Sequence, residues 1–173
     1  KCDCACKMCV TAVPTSYNMT LFDAHVNLLR SQTETMSAAL GGVHSIVVTP
    51  FDAAYEEPND FSERIARNQQ LLLKEECHFN TVVDPSAGSY YIEQLTTSLA
   101  AEAWKLFLKV EEEGGFLSSI KAGTVQDDIN ATNEKRHTLA AQRRELILGT
   151  NQFPNFTEKS EGKMPRAKVC GCG

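Results

Sequence analysis

The feature that most constrains this chain is a repeating order of short β-branched runs and longer helical stretches, with no tight hairpin turn joining any two of the runs. Val10-Thr11-Ala12-Val13 ends at Pro14, Val43 to Thr49 ends at Pro50, and Thr81-Val82-Val83 precedes Asp84-Pro85. Branched side chains favour extended backbone and proline stops it, so each run reads as a strand. Between the first two runs, Val26, Leu29, Met36 and Leu40 recur at helical spacing until Gly41-Gly42, which predicts a helix over Asp23 to Leu40. A second helix is expected over Asn59 to Cys77, with Asp60-x-x-Glu63 as a capping box and Phe61, Ile65, Leu72 and Leu73 as its buried stripe. A third is marked by Ile92, Leu95, Leu99, Ala103, Leu106 and Val110, which recur at steps of three and four until Gly114-Gly115. Two more follow, near Phe116 to Ala122 and from about Val125 to Leu148.

Strands separated by helices imply a parallel sheet joined by crossovers, and hence the α/β class. Three parallel strands leave both sheet edges open, and a parallel sheet needs both faces covered. More strands are therefore expected from outside these residues. The chain divides into a cysteine-rich segment over 1–9, an α/β region over 10–150, and a proline-containing tail over 151–173 read as a linker. Acidic residues outnumber basic ones, 22 to 17, and the basic residues are scattered, so no footprint for nucleic acid is visible. No apolar run approaches the roughly 20 residues that span a bilayer, and the N-terminal residues lack the apolar centre of a secretory signal. A cytoplasmic location with no membrane partner is the expectation.

Seven cysteines are placed unevenly: Cys2, Cys4, Cys6 and Cys9 near one end, Cys170 and Cys172 near the other, and Cys77 alone. The six terminal thiols are candidate ligands for a soft metal ion, since thiolates select zinc or iron–sulfur clusters. Their spacing lacks the paired Cys-x-x-Cys knuckles of known zinc ribbons, which favours plain reduced thiols. His44, His78 and His137 are isolated from one another and from any Ser or Cys in a nucleophile context, so a catalytic triad has no support.

Several blocks together resemble the methylmalonyl-CoA mutase family: Leu40-Gly41-Gly42 before a strand, Phe51-Asp52 after it, Ser62 to Asn68 (SERIARN) in a helix, and Asp84-Pro85 followed by Gly88-Ser89-Tyr90. Glu111 to Gly115 and Arg143-Arg144 extend the resemblance, which runs from about Val10 to about Phe156. It implies a partial (β/α)8 TIM barrel, with three parallel βα units corresponding to strands six to eight, followed by C-terminal helices. In such a barrel the loops at the carboxyl ends of the strands carry function. Here those loops are Pro14 to Phe22, Pro50 to Pro58 and Asp84 to Ser89, which makes Thr15, Ser16, Thr49, Asp52, Asp84 and Ser89 the candidates for contact with a cofactor or substrate. For Asp52 and Asp84 a structural role, bonding nearby backbone amides, is the competing reading.

The departures from the family's catalytic pattern matter as much as the matches. Catalytic members show Gln-Thr-Ser-Gly after the sixth strand, where this chain reads Val13-Pro14-Thr15-Ser16. The family's His-Thr-Asn and Phe-Asp-Glu become Val47-Val48-Thr49 and Phe51-Asp52-Ala53, and Asp-Pro-Trp-Gly-Gly-Ser becomes Asp84 to Ser89 (DPSAGS). An amide, an imidazole and a carboxylate are thereby replaced by groups that cannot perform their polar roles. This pattern resembles the small, non-catalytic subunit of the two-chain enzymes. It implies a heterodimer with a catalytic large subunit that interconverts succinyl-CoA and methylmalonyl-CoA, with adenosylcobalamin held by that partner and none on this chain. A fragment of an active acyl-CoA mutase with altered substrate range, using Thr15, Ser16 and Asn18, and a cysteine-rich metal-binding module are the alternatives.

Asp23-Ala24-His25 imitates the start of the family's cobalamin-ligating Asp-x-His-x-x-Gly motif, but Leu28 occupies the glycine position. The stretch aligns with a barrel helix, so a structural role is expected for it. Glu111-Glu112-Glu113 reads as a solvated helix end. Its unfavourable place at a helix C-terminus points to a nearby basic group or a partner.

Overall fold

The computed structural model describes residues 7–159. Cys2, Cys4, Cys6, Cys170 and Cys172, and with them most of the candidate metal ligands, lie outside the described residues. The described residues form a mixed α/β structure with five α-helices and a small parallel sheet, in two compact units. Of the described residues, one unit holds 7–85 together with 148–159, and the other spans Ser86–Ile147.

In the first unit, β1 (Thr11–Ala12) leads through a 3-10 turn (Ser16–Asn18) to α1 (Val26–Leu40), then to β2 (Ser45–Ile46) and α2 (Asp60–Glu75). The two strands pair in parallel, Thr11 with Ser45 and Ala12 with Ile46, and the Thr11 and Ser45 hydroxyls lie 2.7 Å apart. Parallel pairing across an intervening helix agrees with the sequence expectation. The strands are shorter than predicted, and neither contains a buried residue.

The third expected strand is absent: Thr81-Val82-Val83 forms bends, with Val82 58% and Val83 96% exposed. Branched residues favour extended backbone, but a strand exists only where a neighbour takes its amide and carbonyl groups. Among the described residues no strand pairs with this segment.

Helix α1 packs on α2 and on β2, and of the predicted stripes only Leu73 is fully buried. The buried positions are Asn27, Ser31 and Thr35 on α1, and Ser62, Ala66, Gln69 and Leu73 on α2. Leu29, Met36, Phe61 and Leu72, expected inside, are exposed. Small and polar side chains let the helices approach closely and bond across the contact. Gln69 Nε2 donates to Ser31 Oγ at 2.9 Å and to the Leu28 carbonyl at 3.0 Å. The Thr35 hydroxyl bonds within α1, to the Ser31 carbonyl at 2.6 Å. Buried polar groups are tolerated because they are bonded.

The cap of α2 also differs from the expected pair Asp60 and Glu63. Asn59 Oδ1 accepts from the amides of Phe61 and Ser62 at 3.0 and 3.1 Å, and Ser62 Oγ accepts from the Asn59 amide at 3.0 Å. The box is therefore displaced by one residue from the predicted one. Asn59 takes the extended backbone an N-cap needs, which leaves Asp60 and Glu63 as first-turn acids favoured by the helix dipole.

The second unit is helical: α3 (Tyr90–Glu112), α4 (Phe116–Ala122) and α5 (Thr124–Ala141), with α4 contacting both others. Helix α3 spans the predicted apolar repeat. Gly123, at φ +88°, is both the last cap of α4 and the first of α5, a left-handed position that disfavours side chains. Helix α5 ends at Ala141, seven residues before the predicted limit of Leu148, where Arg143 turns to φ +57°.

Candidate functional site

The strongest polar constellation in the first unit gathers where β1 and β2 run out into their following loops. Asn27, 1% exposed, is its centre. Its Nδ2 donates to the Thr20 carbonyl at 2.9 Å and to the Phe51 carbonyl at 3.1 Å. Its Oδ1 accepts from the Thr20 amide at 3.0 Å and from Arg30 Nη1 at 2.8 Å. Arg30 Nη1 also reaches the Thr20 hydroxyl at 2.9 Å, and Nη2 reaches the Leu148 carbonyl at 2.6 Å. One amide side chain thus ties the loop after β1 to the turn after β2, and Arg30 adds the segment that follows α5. Burial holds the Arg30 guanidinium below its ordinary pKa, against the opposing pull of Asp23 and Glu34.

Each residue predicted to face a ligand has its own local setting. Thr15 caps the 3-10 turn, and its hydroxyl accepts from the Tyr17 amide at 3.1 Å. Ser16 opens that turn, and its carbonyl accepts from the Met19 amide at 3.2 Å. Thr15 borders a hollow of about 370 Å³ beside β1, lined also by Val13, Asn18, Glu34, Thr35 and Ile46. Thr49 is half-buried before Pro50, and Asp52, 2% exposed, is on the turn that follows. Asp84 is exposed at φ +50°. Ser89 belongs to the second unit, where it is the first cap of α3 without a side-chain bond. Cys9 and Cys77 are exposed free thiols, and among the described residues no three His, Cys, Asp or Glu side chains are placed to hold a metal ion.

Asp52 is the exception worth noting among these. Its carbonyl accepts from the amides of Tyr55 and Glu56 at 3.0 and 2.9 Å, which shapes the turn. Its side-chain Oδ1, however, is buried with no hydrogen-bond partner. A buried acceptor without a donor is costly and uncommon, and the expected bonding of this carboxylate to nearby amides is not what the turn uses.

The Asp23-Ala24-His25 stretch is built into the fold. The Asp23 amide donates to both carboxylate oxygens of Glu158, at 2.9 and 3.1 Å. The His25 ring packs 5.3 Å from the Phe51 ring, tilted by 32°, and the Leu28 carbonyl accepts from Gln69. No hydrogen bond joins Asp23 to His25 among the described residues, so the aspartate–histidine pairing of the ligand motif is not formed here.

In the second unit, no ion pair to the acidic end of α3 is found among the described residues, and Glu113 is met by a hydroxyl instead. Lys109 Nζ pairs with Asp128 at 2.9 Å, while Thr124 donates to Glu113 at 2.7 Å. The Glu113 carboxyl is held below its ordinary pKa, first by Thr124, then by Ser119, with Lys109 adding a smaller attraction. Lys109, Glu113, Thr124 and Asp128 rim a groove of about 640 Å³ whose walls include Val110 and Ile129.

Sequence reasoning missed Asn27, Arg30 and Glu158. A polar residue within a helix reads as solvated, and nothing local marks the carbonyls that Asn27 meets.

The architecture defines an α/β protein in which parallel strands are joined through a helix and polar groups gather at their carboxyl ends. Residues 1–169 match the family model described as methylmalonyl-CoA mutase, and the chain belongs to that family. It is 62% identical over 164 residues to the methylmalonyl-CoA mutase small subunit of Porphyromonas gingivalis, covering 93% of this chain and 26% of that protein. The small subunit of Streptomyces virginiae is 40% identical over 154 residues, covering 89% and 25%. A methylmalonyl-CoA mutase of Rhizobium meliloti is 43% identical over 131 residues, covering 76% and 18%. The chain thus spans about a quarter or less of the length of these relatives. Among the described residues, no helix is long and apolar enough to cross a membrane.

Proposed function

We propose that this chain is part of the non-catalytic small subunit of an adenosylcobalamin-dependent methylmalonyl-CoA mutase. In this reading it supports a catalytic large subunit, in a cytoplasmic heterodimer that interconverts succinyl-CoA and methylmalonyl-CoA. The observation that carries the reading is the chemistry of the strand-end loops. Val13 and Val47, 63% and 55% exposed, stand where catalytic relatives carry amide and imidazole blocks, and the nearby Thr15 hydroxyl is engaged by its own turn. No side chain here can donate or accept a proton at those two places.

Adenosylcobalamin bound by the partner would supply the radical chemistry. The residues of this chain would contribute packing around the site. The further reading of the first unit and α3 as the sixth to eighth units of a (β/α)8 barrel is supported by the parallel pairing of β1 and β2. It is also supported by apolar groups left open, including Leu29, Val83, Leu95 and Leu99, which additional strands and helices would cover.

The test is light scattering of the small subunit containing this chain, alone and mixed with the large subunit, together with mutase turnover of each. A stoichiometric complex whose small subunit has no turnover by itself is the expected result. Turnover by the small subunit alone would overturn the reading in favour of an active acyl-CoA mutase using Thr15, Ser16 and Asn18. A full equivalent of metal in freshly purified protein, with no complex formed, would favour a cysteine-rich metal module instead.

A further inference from the structure

Helices α3 and α5 are the two longest of the described helices, and neither contains a buried residue. Helices in proteins draw most of their stability from a packed apolar face, so a face left open on both is a surface awaiting cover. The later half of the α3 stripe looks across to α5. Leu106 and Val110 form one wall of the groove of about 640 Å³, and Val125 and Ile129 form the other. Leu106 is 62% and Ile129 is 54% exposed, so the walls are open to an occupant. Two polar links tie the helices together at the rim, Lys109 to Asp128 and Thr124 to Glu113.

The surroundings of the groove are acidic. Residues 109–128 hold five acids, Glu111, Glu112, Glu113, Asp127 and Asp128, against two bases, Lys109 and Lys121. Lys109 is engaged by Asp128, while Glu111, Glu112 and Asp127 make no ion pair among the described residues. The three glutamates stand at the carboxyl end of α3, where the helix dipole is also negative, so a cation placed there is favoured by both. Leu106, Val110 and Glu113 occupy positions i, i+4 and i+7 of one helix face, a span of about 10 Å at the helical rise. A groove that is apolar along its length and acidic at one end fits an amphipathic helix with two apolar anchors one turn apart and Lys or Arg a turn further on.

Resting on the small-subunit reading given above, we propose that this groove docks a basic amphipathic helix of the catalytic large subunit, which makes α3 and α5 part of the subunit interface. In the barrel of that reading the added strands cover the earlier half of the stripe, Leu95 and Leu99. Helix α5 follows the eighth unit, so the groove it forms with α3 is not closed by the barrel's own repeat. An apolar centre with a charged rim is the make-up of a contact between chains. Because the rim carboxylates meet opposite charge there, association weakens as salt rises.

The test is calorimetric titration of the small subunit containing this chain with the large subunit, for the wild type, Ile129→Asp, Ile129→Leu and the double variant Glu111→Lys, Glu112→Lys. Urea unfolding of each small subunit alone accompanies it. Ile129→Asp places a charge on an apolar wall at an exposed position; it is expected to weaken association about tenfold or more and to leave the unfolding midpoint in place. Ile129→Leu should keep the affinity. The double variant should weaken association about threefold or more and flatten its salt dependence. Unchanged affinity in Ile129→Asp or in the double variant would overturn the basic helix as occupant while leaving the subunit reading intact. A lowered unfolding midpoint with unchanged affinity would overturn it as well, by placing the occupant within the small subunit itself. No complex with the wild type would remove the subunit reading and this interface together. If Ile129→Asp fails to fold, the double variant decides alone.

Discussion

Replacing Asn27 with Leu should be among the most damaging single changes available in the first unit. The two side chains are similar in size, so no large cavity opens, and the cost comes from hydrogen bonds. Three backbone groups lose their partner: the Thr20 amide, the Thr20 carbonyl and the Phe51 carbonyl. Arg30 keeps the Thr20 hydroxyl and the Leu148 carbonyl, so its loss is not counted. A buried group left unsatisfied costs about 1–3 kcal/mol. Phe51 is buried and carries nearly the full penalty, while Thr20 is half-buried and can be partly hydrated. The expected loss is therefore about 3–5 kcal/mol. The only tryptophan, Trp104, lies in the other unit, so the assay is urea unfolding followed by hydrogen exchange of peptides from α1 and α2. Leu29→Ala, at a position 67% exposed, serves as the control and should cost less than about 0.5 kcal/mol. A loss below about 1 kcal/mol for Asn27→Leu would refute the reasoning, because the three backbone groups would then have found water or other partners.

Asp52→Ala should cost the first unit less than about 1 kcal/mol despite its burial, since it removes a buried oxygen that has no hydrogen-bond partner; a loss above about 2 kcal/mol in urea unfolding would contradict this. Asn59→Ala should cost about 1 kcal/mol through the α2 cap, whereas Glu63→Ala should cost less than about 0.5, as read from exchange of the first α2 amides. The Glu113 carboxyl should titrate below the ordinary glutamate value by NMR, and Thr124→Val should move it upward, because Thr124 is its main hydrogen-bond donor. The linkage sign follows from a lowered folded pKa: the stability from Glu113 is present above the ordinary value and is lost as pH falls through the lowered one.

What the chain's own residues determined was local. The glycine pairs at 41–42 and 114–115 mark where α1 and α3 stop, and the repeat from Ile92 to Val110 lies within α3, because helix formation depends on neighbours three and four residues away. The parallel pairing of β1 and β2 was also legible, since a helix separates them and no hairpin could. Tertiary structure decided the rest. Thr81 to Val83 has strand composition but, among the described residues, no strand beside it, and it forms bends. The buried faces of α1 and α2 include Ser31 and Gln69, which bond across the helix contact, and Asn27, which bonds the loops at Thr20 and Phe51, partners that the apolar pattern of either helix alone does not show. The bonds of Asn27 and of Glu158 join residues far apart in sequence, Thr20 to Phe51 and Asp23 to Glu158. Their partners are backbone groups, which every residue carries alike, so only the folded chain selects which of them meet.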